Sequence, residues 1–326
     1  MSQRAVIPAS YQPNWSSFIG ALHGVLQAFG EDADPDVLMG ISGHAFRIAV
    51  SDGTEGFIAY DTPLRHNHES ALPLYRNAGY ELERLAAAGD DPTFDEVKSR
   101  AVKRIRQSID RGRPVIAAGL HIADFGVIRG YDDRSRTLVV STISQEQTGE
   151  VLPVASWPSP PDRRLDIFLL GERVAVDEAA AILDALAFAC DYAERGEGRD
   201  FEAISGSRHG FQAFDAWAEA LENGESINSK AHAQNAQVVL SARAHAARFL
   251  DKVADRTAVA DQLRAAATAY RAEVLEWSRF CTLFPFPGAG DIEGHAAYLE
   301  GARYLRRALI HERVAIEHLR EVLTVS

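Results

Sequence analysis

Apolar residues at Phe18, Leu22, Val25, Leu26 and Phe29 recur at the three-and-four spacing of one helical face, and Gly30 stands where such a helix would stop. "DPDVLMGISG" reads as a short second helix ended by glycine, and "AFRIAV" as a strand. "ALPLYRNAGYELERL" reads as a helix, a turn at Gly79 and another strand. The run "DPTFDEVKSRAVKRIRQSIDRG" predicts a long helix, with Asp91 as its N-cap, Pro92 in its first turn and Gly112 at its end. Four runs rich in β-branched residues follow: "RPVIAAG", "DFGVIRGYDD", "TLVVST" and "RLDIFLLG". Turn signals such as Asp132-Asp133 separate them, and a Pro-rich loop at 156–164 lies between the last strands.

From about residue 173 the strand signals vanish. "DEAAAILDALAFACDYAERG" is an alanine-rich amphipathic helix, and further helical patterns lie near 207–223, 226–255, 257–281 and 291–323. Pro285 and Pro287 force a break before the last of these. The pattern therefore predicts an α+β domain with an antiparallel sheet over 1–172 and an all-α helical bundle over 173–326.

Composition narrows the function classes. The chain has 326 residues, 46% of them hydrophobic, enough for two cores. Its net charge of -12 argues against nucleic acid or an anionic membrane as partner. No apolar run approaches the roughly 20 residues that span a bilayer, and "MSQRAVIPAS" lacks a signal-peptide core, so a cytoplasmic protein is expected. Cys190 and Cys281 both fall inside helical patterns and read as core residues rather than a disulfide.

The pieces "SSFIGALHGVLQAFG", "LMGISGHAFRI", "LPLYRNAGYELERL", "SIDRGRPVIAAGLH" and "FGVIRGYDD" carry a family likeness in their order and spacing. They cover about half the chain. This half resembles the papain-like, C39-peptidase-like fold, and more narrowly the branch typified by the acyltransferase of butirosin biosynthesis. The resemblance implies a cysteine opening the first helix, a histidine shortly before "VxxGYD", and an Asp or Asn on the next strand. At those positions this chain has Ser17, Asp124, and Ser141 or Thr142. Gln12 falls near the place of the oxyanion-hole glutamine.

These departures change the chemistry that the resemblance implies. A Cys–His pair works through a thiolate, whereas a serine hydroxyl needs a well-placed base and a carboxylate is a poor one. Ser17 reads first as the cap of its helix and second as a nucleophile. Asp124 reads as a general base or as a strand-start turn residue. His44 and Arg47 would face opposite sides of a regular strand; with a turn at Gly43 they could bind an anion together, the alternative being a core histidine and a surface arginine. His121 is a proton shuttle or an exposed loop histidine. Asp61 is a second candidate carboxylate for substrate binding. Although His66 and His68 follow it, a polar loop is the simpler reading, and neither metal nor cofactor is expected.

In the helical half, His209, His311, His318, Glu312 and Arg313 read as solvated helix faces, and "WSRFCTLFPFP" as core. The first functional expectation is a natural-product biosynthetic enzyme with Asp124 as base and a cationic anion pocket. Its concrete form is ring closure with loss of sulfate or phosphate. Here a second resemblance, resting on the reaction rather than on a motif, is to aziridine synthases of azinomycin-type biosynthesis. The alternatives are acyl transfer of the butirosin type and a non-catalytic member that binds a metabolite or partner. The expected partners are a small-molecule substrate, free or tethered to a carrier protein, and an accessory subunit able to supply missing groups.

Overall fold

In chain order the elements open with β1 (Arg4–Val6), α1 (Ser17–Ala28), α2 (Pro35–Ile41), β2 (Ala49–Gly53), β3 (Gly56–Phe57) and α3 (Leu72–Arg76). Next come β4 (Tyr80–Ala87), α4 (Phe94–Asp110), β5 (Val115–Ala118), β6 (Phe125–Asp132), β7 (Thr137–Ser141), α5 (Gln145–Thr148), β8 (Val151–Pro153) and β9 (Leu165–Arg173). The chain ends with α6 (Glu178–Arg195), β10 (Ser207–His209), α7 (Phe211–Asn223), α8 (Ser229–Ala254), α9 (Ala260–Leu283) and α10 (His295–Val325). This computed structural model describes residues 3–53, 56–57, 64, 67–159, 163–195, 207–224, 227–256, 259–288 and 294–325. The architecture is α+β, with a mainly antiparallel seven-stranded sheet and a C-terminal helical region.

Two units divide the chain: Met1–Leu38 with Gly79–Ala175, and Met39–Ala78 with Val176–Ser326. The expected division at 172/173 therefore differs in one respect, because residues 39–78 group with the helices. Sequence order alone cannot reveal a segment that leaves one core for another.

In the first unit the strands run β4-β9-β5-β6-β7-β8, and β1 also pairs with β6. β5 pairs with Phe125–Ile128 and β1 with Gly130–Asp132, while β7 takes the other edge of β6. Strand β6 is thereby fixed along its whole length. β5 and most of β9 are buried without alternation because both sheet faces are covered. α4 packs its stripe of Phe94, Val97, Ala101, Ile105 and Ile109 in one core with Val115, Ala117, Ile167 and Leu169. The intervening Phe168 faces the other way, against Phe18 of α1. Each such buried Val, Leu, Ile or Phe side chain contributes roughly 1.5–3 kcal/mol by leaving water.

Two terminus assignments shift. Thr93, not Asp91, is the N-cap of α4; the Asp91 carboxylate instead accepts from the Thr93 N–H and hydroxyl, at 2.7 Å each, and closes the preceding turn. Pro92 consequently lies before the helix rather than in it. At the other end Gly112, with φ +76°, lets its own N–H and that of Arg113 reach back to Ile109 and Ser108 as the chain leaves the helix.

Among its described residues, the second unit is mainly helical and carries the small sheet β10-β2-β3. Strand signals were expected to vanish after 173, but Ser207–His209 pairs with β2 and the helix starts only at Phe211. The expected strand "AFRIAV" splits into a 3-10 turn at His44–Phe46 and the beginning of β2. Gly43 starts that turn at φ +76°, a left-handed conformation that favours glycine. Trp217, Trp277, Phe280 and Phe284 form the aromatic centre of the core, in line with the reading of "WSRFCTLFPFP". Cys190 and Cys281 are free and buried, and burial pushes both thiols up to about 12.

Glu312 is not on a solvated face. Arg243 of α8, fully buried, donates to Glu312 at 2.7 Å and lies 3.3 Å from Glu273 of α9. Arg243 also donates to the carbonyls of Ala45 and Arg47, at 2.9 and 3.1 Å. Trp277 donates to Glu273 at 2.8 Å. Burial first, and the neighbouring Glu312 charge second, hold Glu273 well above the carboxylate range beside the Arg243 guanidinium. His209 is likewise buried, 3.2 Å from the Tyr192 hydroxyl, whereas His318 does face water and meets Glu321 at 3.2 Å. Arg313 stacks over Phe211, 4.7 Å from the ring centre.

Candidate functional site

Within the sheet unit, helix α1 begins where strand β6 begins. Ser16 is the N-cap, accepting from the Ile19 N–H at 3.5 Å, so the expected capping role passes from Ser17 to its neighbour. A cap hydroxyl must point along the helix at the third N–H, and only one residue can do so. Ser17, the first helical residue, turns its hydroxyl sideways instead. Its Oγ accepts from the Phe125 N–H at 3.2 Å, which brings the hydroxyl to the Asp124 carboxylate, whose pKa it lowers. Residues 107 positions apart in the chain thus meet as hydroxyl and carboxylate.

Asp124 ends the tight connection between β5 and β6. Its carbonyl accepts from the Gly119 N–H at 3.1 Å, and the Gly119 carbonyl accepts from Ser159 at 3.0 Å, which anchors the loop at both ends. Burial raises the Asp124 pKa, and the Ser17 hydrogen bond opposes part of that rise. Among the described residues no lysine, arginine or histidine forms an ion pair with it. The side chain remains partly open to solvent.

Tyr11 is the neighbour that the sequence reading missed. It is buried, its N–H donates to Ser141 Oγ at 3.0 Å, and its phenol donates to the Asn14 carbonyl at 3.0 Å. Burial and the negative charge of Asp124 both raise the phenol pKa, which marks the two as electrostatic neighbours. The segment carrying Tyr11 reaches α1 because Gly20 and Gly24 have no Cβ; one at Gly20 would run into Gln12 and Tyr11, and one at Gly24 into Ser10. The only sequence signal was this Gly-x-x-x-Gly spacing, which by itself says nothing about what lies against it.

The remaining candidates divide. Gln12 belongs to the same segment, with its N–H on the Gly20 carbonyl at 3.1 Å and its side-chain amide on the Ser10 carbonyl at 3.4 Å. Ser141 spends its hydroxyl on Tyr11, and Thr142 meets Ser144 at 3.3 Å, so the place of a third triad member holds only hydroxyls. His121, in the Asp124 loop, is half-buried with φ +71°, not a freely exposed loop residue. Its Nε2 is covered and makes no hydrogen bond among the described residues, and burial lowers its pKa, keeping the ring neutral at pH 7.

His44 and Arg47 belong to the helical unit. The turn at Gly43 does reorient His44, which stacks on Tyr75 with ring centres 5.7 Å apart and meets the Ser42 hydroxyl at 3.0 Å. Burial first, and the Arg47 charge second, hold its pKa well below the usual imidazole value. Arg47 is not a surface arginine: it is fully buried, its guanidinium 4.5 Å from the Phe188 ring centre and 5.8 Å from that of Tyr192. His68, also buried, meets the Tyr75 hydroxyl at 2.9 Å. Asp61 and His66 lie outside the described residues.

Among the described residues, no group of three His, Cys, Asp or Glu side chains could hold a metal ion, and no helix is long and apolar enough to cross a membrane. Chemically, the α1–β6 junction offers a partly open carboxylate of raised proton affinity beside one hydroxyl, on a loop held by backbone hydrogen bonds. No family model matches the chain, and no curated protein matches it.

Proposed function

We propose that the chain is a small-molecule biosynthetic enzyme in which Asp124 takes a proton from the substrate. One observation carries this reading: the Ser17 Oγ accepts from the Phe125 N–H at 3.2 Å, which sets the Ser17 hydroxyl beside Asp124 at the α1–β6 junction, where burial raises the carboxylate's pKa. A raised carboxylate pKa brings the base nearer to neutral pH, where general-base catalysis is most effective. The papain-like arrangement belongs to the same proposal; its support is the meeting of a helix start and a strand start at the two landmark positions.

In concrete form, an amine of the substrate attacks its own carbon bearing a sulfate or phosphate ester. The N–C bond forms as the C–O bond breaks, Asp124 accepts the amine proton, and the ester leaves as an anion, closing an aziridine ring. Holding the two ends of one molecule in line supplies much of the rate. The geometry supports the base more than the anion pocket, because His44 is neutral and Arg47 is covered by aromatic rings. Wild type and Asp124→Asn, incubated with small-molecule extract of the source organism and followed by mass spectrometry, test the assignment. Asp124→Asn should slow conversion by about 10²–10⁴-fold. Full turnover by the variant on a substrate that wild type converts would sink it.

Acyl transfer through Ser17 is the second reading. It is favoured by the hydroxyl-to-carboxylate hydrogen bond, which is the contact of a nucleophile with a base. Against it, the Phe125 N–H already occupies a lone pair of the Ser17 Oγ. This reading requires an acyl adduct on intact protein that disappears in Ser17→Ala.

A further inference from the structure

We infer that Phe168 is a positioning residue for the Ser17–Asp124 pair, held in its turn by the Arg84–Asp166 ion pair; its functional meaning rests on the reading of Asp124 as a base. Each member of the pair has a phenylalanine as its next residue, Phe18 after Ser17 and Phe125 after Asp124. The Phe18 and Phe125 rings meet edge to face, with centres 5.4 Å apart at 85°. Phe168 closes the triangle, 5.0 Å from Phe18 and 6.0 Å from Phe125. The three rings therefore tie the start of α1 to the start of β6. Phe125 also supplies the N–H that holds the Ser17 Oγ, so its backbone and ring act on the same contact.

Phe168 is fully buried on β9, the strand next to β5, and does not itself touch solvent. Directly across from it in the register stands Arg84 of β4, with its guanidinium 5.7 Å from the Phe168 ring centre. Arg84 makes a two-pronged bond to Asp166, 2.8 Å at each prong, and Arg164 adds a third contact at 3.2 Å. Asp166 is fully buried, and a planar fork on a buried carboxylate leaves the guanidinium little freedom. Edge-to-face rings resist sliding past one another, so this hold is transmitted through Phe168 to the two rings above it.

The experiment reads the proton affinity of Asp124 directly. Its carboxyl carbon is followed by NMR titration and assigned by its loss in Asp124→Asn. Ser17→Ala should raise the Asp124 pKa, because it removes a donor to the carboxylate. In a Phe168→Leu background the same Ser17→Ala change should shift Asp124 much less, since the pair is already uncoupled. An equal shift in the two backgrounds overturns the inference, even where Phe168→Leu lowers the Tm, because a residue that only fills the core would do just that. Phe168→Met, unbranched and better able to fill an irregular gap, takes the same arms if Phe168→Leu fails to fold. Titration needs no substrate, so a negative result here leaves the turnover test of Asp124→Asn standing, and the reverse holds.

Discussion

Asp124 in the sheet unit and Glu273 in the helical unit are both carboxyls whose pKa is pushed up by burial, yet their surroundings differ in kind. Glu273 sits in a closed network in which Arg243, Trp277 and Glu312 all face it and no part reaches water. Asp124 has a single hydroxyl donor, no cationic partner among the described residues, and an opening to solvent. Buried charge that is paired with a cation and closed off from water belongs to a core, and removal of one partner is felt as instability. A raised carboxyl left partly uncompensated at an opening retains proton chemistry for a ligand. A shifted pKa alone therefore does not distinguish the two sites; the buried cation beside Glu273 and the opening beside Asp124 do.

The comparison is broken most forcefully at Arg243. Arg243→Met leaves the Glu273–Glu312 pair buried without its cation and should cost about 3–5 kcal/mol in urea unfolding. A cost below 1 kcal/mol would show that the two carboxyls reach water and are no different from Asp124.

The pH dependence of stability sharpens the contrast. Folded Glu273 keeps its proton to a higher pH than unfolded Glu273, so above about 4.5 the folded state binds more protons. Its stabilising contribution is full at low pH and is lost as pH rises towards the folded pKa, at up to about 1.4 kcal/mol per pH unit. Glu273→Gln should flatten that slope in unfolding curves measured upward from about pH 4.5. An unchanged slope would assign the pH dependence elsewhere.

The smallest expected effect separates two adjacent serines. Ser16→Ala removes a helix cap, about 0.5–1 kcal/mol, and should leave the Asp124 titration alone. Ser17→Ala should cost a similar ~0.5–1.5 kcal/mol while moving that titration upward. Equal titrations in both variants would reduce Ser17 to part of the cap.

Much of the scaffold was legible in the sequence because it repeats. The helix beginning at Ser17, the helix ending before Gly112, and the runs around Val115, Val127, Val139 and Ile167 carry enough residues to display a period. The strands at Arg4–Val6, Val151–Pro153 and Ser207–His209 were not legible, because three residues hold no period and form only where a partner strand already waits. Glu312 was misread for the opposite reason: "HERVAIEHLR" has the pattern of a solvated face, and only the Arg243 guanidinium from another helix makes burial of that carboxylate tolerable.

By itself, then, the sequence determined the types of the longer elements and the change to long helices after about residue 173, while Ser17 and Asp124 were singled out through the family resemblance. The longer elements depend on neighbours along the chain, and local backbone preferences are written locally. Tertiary structure alone decided that Ser16 caps while Ser17 meets Asp124, that Tyr11 and Phe168 stand behind them, and that Arg47 is buried against Phe188. Apart from the Ser16 cap, each of these is a contact between residues far apart in the chain, and its strength depends on distance and burial that no local pattern encodes.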